Sequence, residues 1–354
     1  MFQGINQERG ECWMRYRKLG NTGLDASELG FGGIPILRLE SAEAERIVRH
    51  SYDKGINFFD TANAYRNSEE KMGRAFEGMR HKVIIATKTM RRDAKGAAEH
   101  LEQSLKMLRT DYIDIYQLHQ VAQETVWDTV SAPGGALEVL QKAKEAGKIR
   151  FLGITSHSRP MAIKLIQTGF FSTVQFPFNF IEEAASGDLH PEARKLGLGI
   201  LAMKPFAGGV IDNATVAFKY LRQFPDVLPL PGFDSVAAVD EVVSFYDHPN
   251  VINTDDEEKM AIYRRELGQQ FCRRCEYCQP CPQGVMITPA MGYQVVARRM
   301  SPQVSVEFSR AAMETVPKCV ECGVCIQRCP YNLPIPTMLK RHYEMWTAHC
   351  SEGK

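Results

Sequence analysis

The chain has 354 residues, 44% of them hydrophobic and 24% charged, with 43 basic against 42 acidic side chains. That balance gives no electrostatic case for nucleic acid or an anionic membrane surface, and no apolar run approaches the ~20 residues of a membrane-spanning helix. The length points to about two domains. The opening MFQGINQERGECWM lacks the apolar stretch of a secretory signal, so a cytoplasmic location is expected.

From the N-terminus, Tyr16–Leu19, the turn Gly20-Asn21-Thr22-Gly23 and Leu24–Ser27 read as a β-hairpin. From about Glu28 to Phe245, β-type runs alternate with helical patterns. The strand candidates are Leu29–Gly32, Ile56–Asp60, Val83–Lys88, Tyr112–Leu118, Phe151–Ile154, Val174–Phe176, Leu198–Met203 and Val227–Leu230. Between them, Met72, Ala75, Phe76 and Met79 share one helix face, as do Ala98, Leu101, Leu105 and Leu108, spacings that bury a stripe against a sheet. Gly55, Gly78 and Gly147 stand where a left-handed residue closes a helix. Repeated strand–helix units imply parallel strands, and eight of them close into an α/β (β/α)8 TIM barrel. The alternative is an open doubly wound sheet. Its G-x-G-x-x-G fingerprint fails here: Gly30 and Gly32 fit, but the third position is Pro35. The hairpin would plug the barrel's N-terminal face. After Phe245 the pattern changes, and Asp255-Asp256-Glu257-Glu258 opens a helix with acids at its positive end. The expected division is a barrel over 15–254 and a mostly helical domain over 255–354.

Reacting groups in a barrel lie at the C-terminal ends of its strands. Those positions hold Asp60, then Tyr65, Lys88 and His119, from the second, third and fourth strand candidates. Each alone has an ordinary structural reading. Together they form a proton-transfer set. A lysine ending the apolar run VIIAT needs a buried partner, and Asp60 supplies it. A phenol titrates near ~10 in water, and a neighbouring ammonium favours its ionised form. With His119 as a hydrogen-bond partner, Tyr65 becomes a general acid for a developing alkoxide, the task of carbonyl reduction.

These segments, YRKLGNTGL (16–24), FFDTANAY (58–65), VIIATK (83–88) and DYIDIYQLH (111–119), resemble the aldo-keto reductase family over about residues 15–250. The resemblance implies a (β/α)8 barrel, NADP or NAD, and a catalytic tetrad of Asp60, Tyr65, Lys88 and His119. In the cofactor half, Thr155-Ser156-His157 stands where the family has Ser-Asn, so Ser156 and His157 are expected at the carboxamide with Gln175. Met203 takes the place of an aromatic platform, a softer ring contact. Lys204, Phe206, Ala207 and Gly208 are expected at the pyrophosphate, and Ser235 and Glu241 at the adenosine. Ala238 stands where the family arginine grips a 2′-phosphate, which leaves NADPH against NADH open.

Eight of the ten cysteines fall in two runs: Cys272, Cys275, Cys278 and Cys281, and then Cys319, Cys322, Cys325 and Cys329. The second reads C-x2-C-x2-C-x3-C-P, the spacing that wraps a four-iron cluster in bacterial ferredoxins. The first run departs from it, with only Gln279 and Pro280 between its last pair. Two 4Fe-4S clusters are expected, with one cluster or two zincs as alternatives. On the ferredoxin precedent ligation crosses: Cys272, Cys275 and Cys278 with Cys329, and Cys319, Cys322 and Cys325 with Cys281. Cys12 and Cys350 are read as free thiols. The barrel-plus-cysteine arrangement is similar to a prokaryotic branch of the family that carries a C-terminal ferredoxin-like domain.

The leading expectation is a nicotinamide-dependent oxidoreductase acting on a small carbonyl or alcohol substrate, with a redox partner protein as a further candidate. Two other readings stay open: an electron-transfer or regulatory subunit that uses the barrel as a platform, and a redox-neutral enzyme that holds its nicotinamide tightly.

Overall fold

The computed structural model describes residues 14–268, 270–298 and 300–352. Near the N-terminus, β1 (Tyr16–Lys18) pairs antiparallel with β2 (Asp25–Ser27). Eight further strands follow: β3 (Gly30–Gly32), β4 (Phe58–Asp60), β5 (Ile84–Thr89), β6 (Ile113–Leu118), β7 (Ile149–Thr155), β8 (Thr173–Pro177), β9 (Gly199–Met203) and β10 (Val227–Leu230). Each neighbour along β3 to β10 pairs in parallel. The ends of the sheet meet through a parallel bridge between Gly32 and Gly232, with Gly32 N donating to Pro231 O at 2.7 Å. The fold is therefore a (β/α)8 barrel, and every expected strand is present with its ends within two residues of those read from sequence.

Alternation along each strand builds the interior in layers. The lower layer is apolar: Phe58, Ile84, Ala86, Ile115, Leu201 and Leu228 pack with Leu19 and Leu24 from the hairpin. The hairpin thus closes the N-terminal end. Its turn docks on the start of β9, where Asn21 N donates to Gly197 O at 2.8 Å. Gly20 is needed there, because it takes φ 52° and a Cβ on it would meet Gly199 N at 2.4 Å.

Outside the sheet, the two expected helix stripes shift slightly. Helix Ser68–Ala75 buries Met72 and Ala75, and Phe76 follows it into the core. Met79 lies beyond the helix end and is only partly covered. On helix Ala94–Met107 the fully buried alanine is Ala97, and Ala98 turns partly outward.

The chain divides into two compact units. One runs to Ala207 and resumes over Ile211–Asp256; the other takes Gly208–Val210 and everything from Glu257 onward. The division falls within helix Thr254–Leu267, whose start is capped reciprocally. Asn253 Oδ1 accepts from Asp256 N, and Asp256 Oδ2 accepts from Asn253 N, both at 3.0 Å. The second unit is helical, with Pro302–Met313 and Ile335–Glu352 as its long elements. Its core joins Tyr293, Met313, Leu339 and Trp346 to the thiols of Cys278, Cys325 and Cys329. Among the described residues no helix is long and apolar enough to cross a membrane.

One buried group sets a pH limit on the barrel. His190 is 1% exposed, lies 4.5 Å from the Phe178 ring centroid, and has no hydrogen-bond partner at either nitrogen. Burial, with Arg194 adding to it, pulls its pKa down to about 4. The unfolded chain takes up that proton near 6.5 and the folded chain does not, so stability is complete above 6.5 and falls as pH drops toward 4, by about 3 kcal/mol. His190→Leu should remove this share of the acid sensitivity, read as a smaller loss in urea midpoint between neutral and mildly acidic buffer than the parent shows.

Candidate active site and metal centre

Above the apolar layer the barrel interior turns polar. Lys88 and Gln117 are register partners on β5 and β6, Asp60 ends β4, and Gln175 lies on β8. Lys88 Nζ donates to both Asp60 oxygens at 2.7 Å and to Thr61 O at 2.6 Å. Three acceptors meet three ammonium protons. The amides of Gln117 and Gln175 donate to the same carboxylate at 3.2 and 3.3 Å. Lys88 is 1% exposed and Asp60 4%. Burial pulls the amine down from its ordinary value and Asp60 opposes that pull; burial pushes the carboxyl up and Lys88 opposes it. The geometry, donor for acceptor, is that of an ion pair.

Tyr65 stands over this pair. Lys88 Nζ lies 5.4 Å from its ring centroid, and the His119 ring meets it edge-on, 5.9 Å between centroids at 82°. The loop that carries it is sewn to β5, since Thr61 N donates to Ala86 O and Asn63 N to Lys88 O, at 2.8 and 3.1 Å. His119 follows β6. Arg92 Nη2 donates to His119 O at 2.7 Å and to Gln120 O at 3.1 Å, across a backbone where Gln120 takes φ 55°. Burial, then Lys88 and Arg92, holds the His119 pKa well below its ordinary value, so the ring is neutral through the physiological range. The four expected groups thus gather in one place.

Three further side chains support the site. Gln117 shares the inward face of β6 two residues before His119, and strict alternation exposes it. Gly153 on β7 leaves it room: a Cβ there would meet Gln117 Cγ at 2.9 Å. Arg92 and the buried Glu69, whose Oε1 accepts from Thr87 Oγ1 at 2.6 Å, carry no sequence signal beyond their charge.

Of the expected nicotinamide contacts, Ser156 is fully buried in a turn, bonded to Ser158 N at 3.1 Å. The Gln175 amide nitrogen is spent on Asp60, and its Oε1 is buried without a partner. An orphaned carbonyl at that position fits a carboxamide N–H. Met203 ends β9 half-buried, and His157 is half-buried as well. After β9, Lys204 and Ala207 take φ 57° and 46°, and Asn179 Nδ2 donates to Lys204 O at 3.0 Å. Phe206 packs on Phe218 at 5.7 Å, while Gly208 falls in the second unit. Ser235 caps helix Val236–Ser244 by accepting from Ala238 N at 3.2 Å, and Glu241 is exposed on that helix.

In the second unit the cysteines fall into two neighbourhoods. Burial pushes Cys275 up to about 11, and Cys272 and Cys329 are near enough to add to it. Burial pushes Cys278 up to about 12, with Cys272 and Cys275 adding. Cys281, Cys319, Cys322 and Cys325 line one small, largely apolar cavity together with Cys278. Among the described residues no group of three or more His, Cys, Asp or Glu is drawn in tightly enough for a single ion. Thiolates that wrap a cubane sit on separate irons and so stand wider apart. Cys350 is a free thiol, and Cys12 lies outside the described residues.

The Aldo/keto reductase family profile matches residues 28–249. The chain belongs to that family. A 4Fe-4S dicluster domain profile matches residues 271–334, so the aldo/keto reductase barrel is followed by an iron–sulfur domain. Among curated proteins, the chain is 33% identical over 255 residues to aldo-keto reductase YhdN of Bacillus subtilis, covering 65% of this chain and 75% of that one. It is 30% identical over 216 residues to L-galactose dehydrogenase of Arabidopsis thaliana, covering 56% and 67%. Among solved structures, the holo form of aldo-keto reductase AKR11C1 from Bacillus halodurans superposes with a TM-score of 0.61 at 23% identity, over 70% of this chain and 96% of that one. The last is a likeness of fold. The chain is an oxidoreductase of the aldo-keto reductase type.

Removing one partner of the buried pair leaves the other charged and unpaired. Lys88→Met should destabilise the barrel by about 3–5 kcal/mol, and adding Asp60→Asn should recover part of that loss. Denaturant unfolding of the single and double variants checks it.

Proposed function

We propose that the barrel reduces a small carbonyl substrate, or oxidises the matching alcohol, with NADP or NAD, and that Tyr65 is the general acid. The observation that carries this reading is the Tyr65 phenol placed over a buried ammonium and against a neutral imidazole. Reduced nicotinamide, when bound, supplies the hydride. Gln175 Oε1 and Ser156 would hold its carboxamide, with His157 beside them and Met203 against the ring. Lys204, Phe206 and Ala207 would take the pyrophosphate, and Ser235 and Glu241 the adenosine.

The protein's own part is a proton transfer. The Tyr65 hydroxyl gives its proton to the carbonyl oxygen as negative charge builds there. The Lys88 ammonium steadies the phenolate that remains, and Asp60 keeps that ammonium charged. His119, held neutral, has no spare proton at ordinary pH; it orients the hydroxyl and the substrate oxygen by hydrogen bonding. In the alcohol-oxidising direction the same groups take the proton back.

The second unit, in this proposal, holds two 4Fe-4S clusters. The neighbourhoods of Cys272, Cys275, Cys278 and Cys329, and of Cys281, Cys319, Cys322 and Cys325, support crossed ligation. Nicotinamide moves two electrons and a cluster moves one, so a redox partner protein fits the second unit better than the barrel's own substrate does. A cytoplasmic setting, where thiols stay reduced, suits such ligands.

Tyr65→Phe should cut turnover by more than about a hundredfold while leaving nucleotide affinity nearly unchanged, as fluorescence titration would read. Undiminished turnover would remove the acid assignment. Anaerobically purified protein should carry about eight irons and eight acid-labile sulfides per chain; half that content would mean one cluster, and zinc in their place would end the iron–sulfur reading of the second unit.

A further inference from the structure

The second unit contains a cavity of about 80 Å³ that the hydride chemistry does not use. Arg274, Arg298, Gln294, Gly292 and His342 line it, beside Cys272. Arg274 is half-buried and holds φ 58°, and its guanidinium lies against Gly292, where a Cβ would meet Nη2 at 3.3 Å. Among the described residues no carboxylate pairs with Arg274 or with the exposed Arg298. Two guanidinium-bearing side chains lining one cavity suit an anion.

His342 says which anion. It is 1% exposed, and its Nδ1 lies 3.2 Å from Ala290 O. A carbonyl only accepts, so Nδ1 carries the proton, and the neutral ring presents a lone pair at Nε2. That Nε2 is buried and has no partner. Burial, with Arg341 adding to it and the Ala290 bond opposing, favours the neutral ring. A lone pair needs a donor. A fully ionised oxyanion has none to give, whereas hydrogen phosphate keeps one P–OH.

We propose that this cavity binds a protonated oxyanion of the hydrogen phosphate type, its charged oxygens held by Arg274 and Arg298 and its hydroxyl donating to His342 Nε2. The assignment is independent of the chemistry proposed for the barrel. The Gln294 amide, which also lines the cavity, accepts from Arg341 Nη2 at 3.5 Å and keeps its own N–H groups for the ligand.

The test is calorimetric titration of the anaerobically purified full chain with inorganic phosphate and, separately, with sulfate at matched ionic strength. Phosphate should bind saturably at one site and exceed sulfate by roughly tenfold or more, the cost of an unmet buried acceptor. His342→Phe should bring phosphate down to the sulfate level. Arg274→Gln should weaken both. Arg298→Gln, at an exposed position, should weaken both without disturbing the fold, and so keeps the test alive if either buried variant fails to fold. Absence of saturable phosphate binding, equal affinity for the two anions in the parent chain, or phosphate affinity unchanged in Arg298→Gln would overturn the proposal.

Discussion

An ammonium buried inside a sheet barrel must be matched proton for acceptor, and the upper half of this barrel is organised by that requirement. Lys88 gives its three protons to Asp60 and Thr61 O. Asp60 in turn takes amide protons from Gln117 and Gln175. The four side chains come from β4, β5, β6 and β8, so the pair is satisfied only when those strands sit in their observed register. A slip of one residue on β5 would turn Lys88 out of the interior and leave Asp60 alone. The ion pair contributes little net stability by itself. Its effect is on specificity: it penalises every register but one.

The same constraint places the site. Tyr65 is on a loop rather than a strand, and loops are seldom rigid without help. Here the help comes from backbone bonds to Ala86 and Lys88, the strand that also bears the ammonium. On the other side Arg92 ties down the carbonyls of His119 and Gln120. Both flanking groups are therefore referenced to β5 and its following loop, which explains how residues 60, 65, 88 and 119 converge.

Much of this was legible in the sequence because barrel strands are short apolar runs with clear helix patterns between them. The convergence of residues 60, 65, 88 and 119 was legible because the C-terminal ends of barrel strands gather at one rim. What was lost is what depends on tertiary packing. Met79 obeys the helical period yet lies past the helix end, because the chain breaks at Glu77-Gly78 before that turn completes. Ala97 and Ala98 are chemically alike, and only the angle at which the helix meets the sheet selects the first. Alternation puts Gln117 of IDIYQL on the inward face with His119, but its partner Asp60 is seen only in the fold. The placing of Arg274 on a cavity and the lone pair on His342 are properties of surroundings, which no spacing rule reports.

The cysteine-bearing unit poses a different physical problem. Between Gly268 and Ile287 its backbone forms no regular element among the described residues, and Cys278, Cys325 and Cys329 serve as core side chains. A small core of this kind, with thiols standing where branched aliphatics would otherwise pack, gains little from burial alone. Ligand bonds couple directly to folding in such modules, so a metal held there would bear on the stability of this unit. The phenol, the ammonium, the carboxylate and the imidazole lie entirely in the first unit. An oxyanion seated on Arg274 and Arg298 would add negative charge beside Cys272.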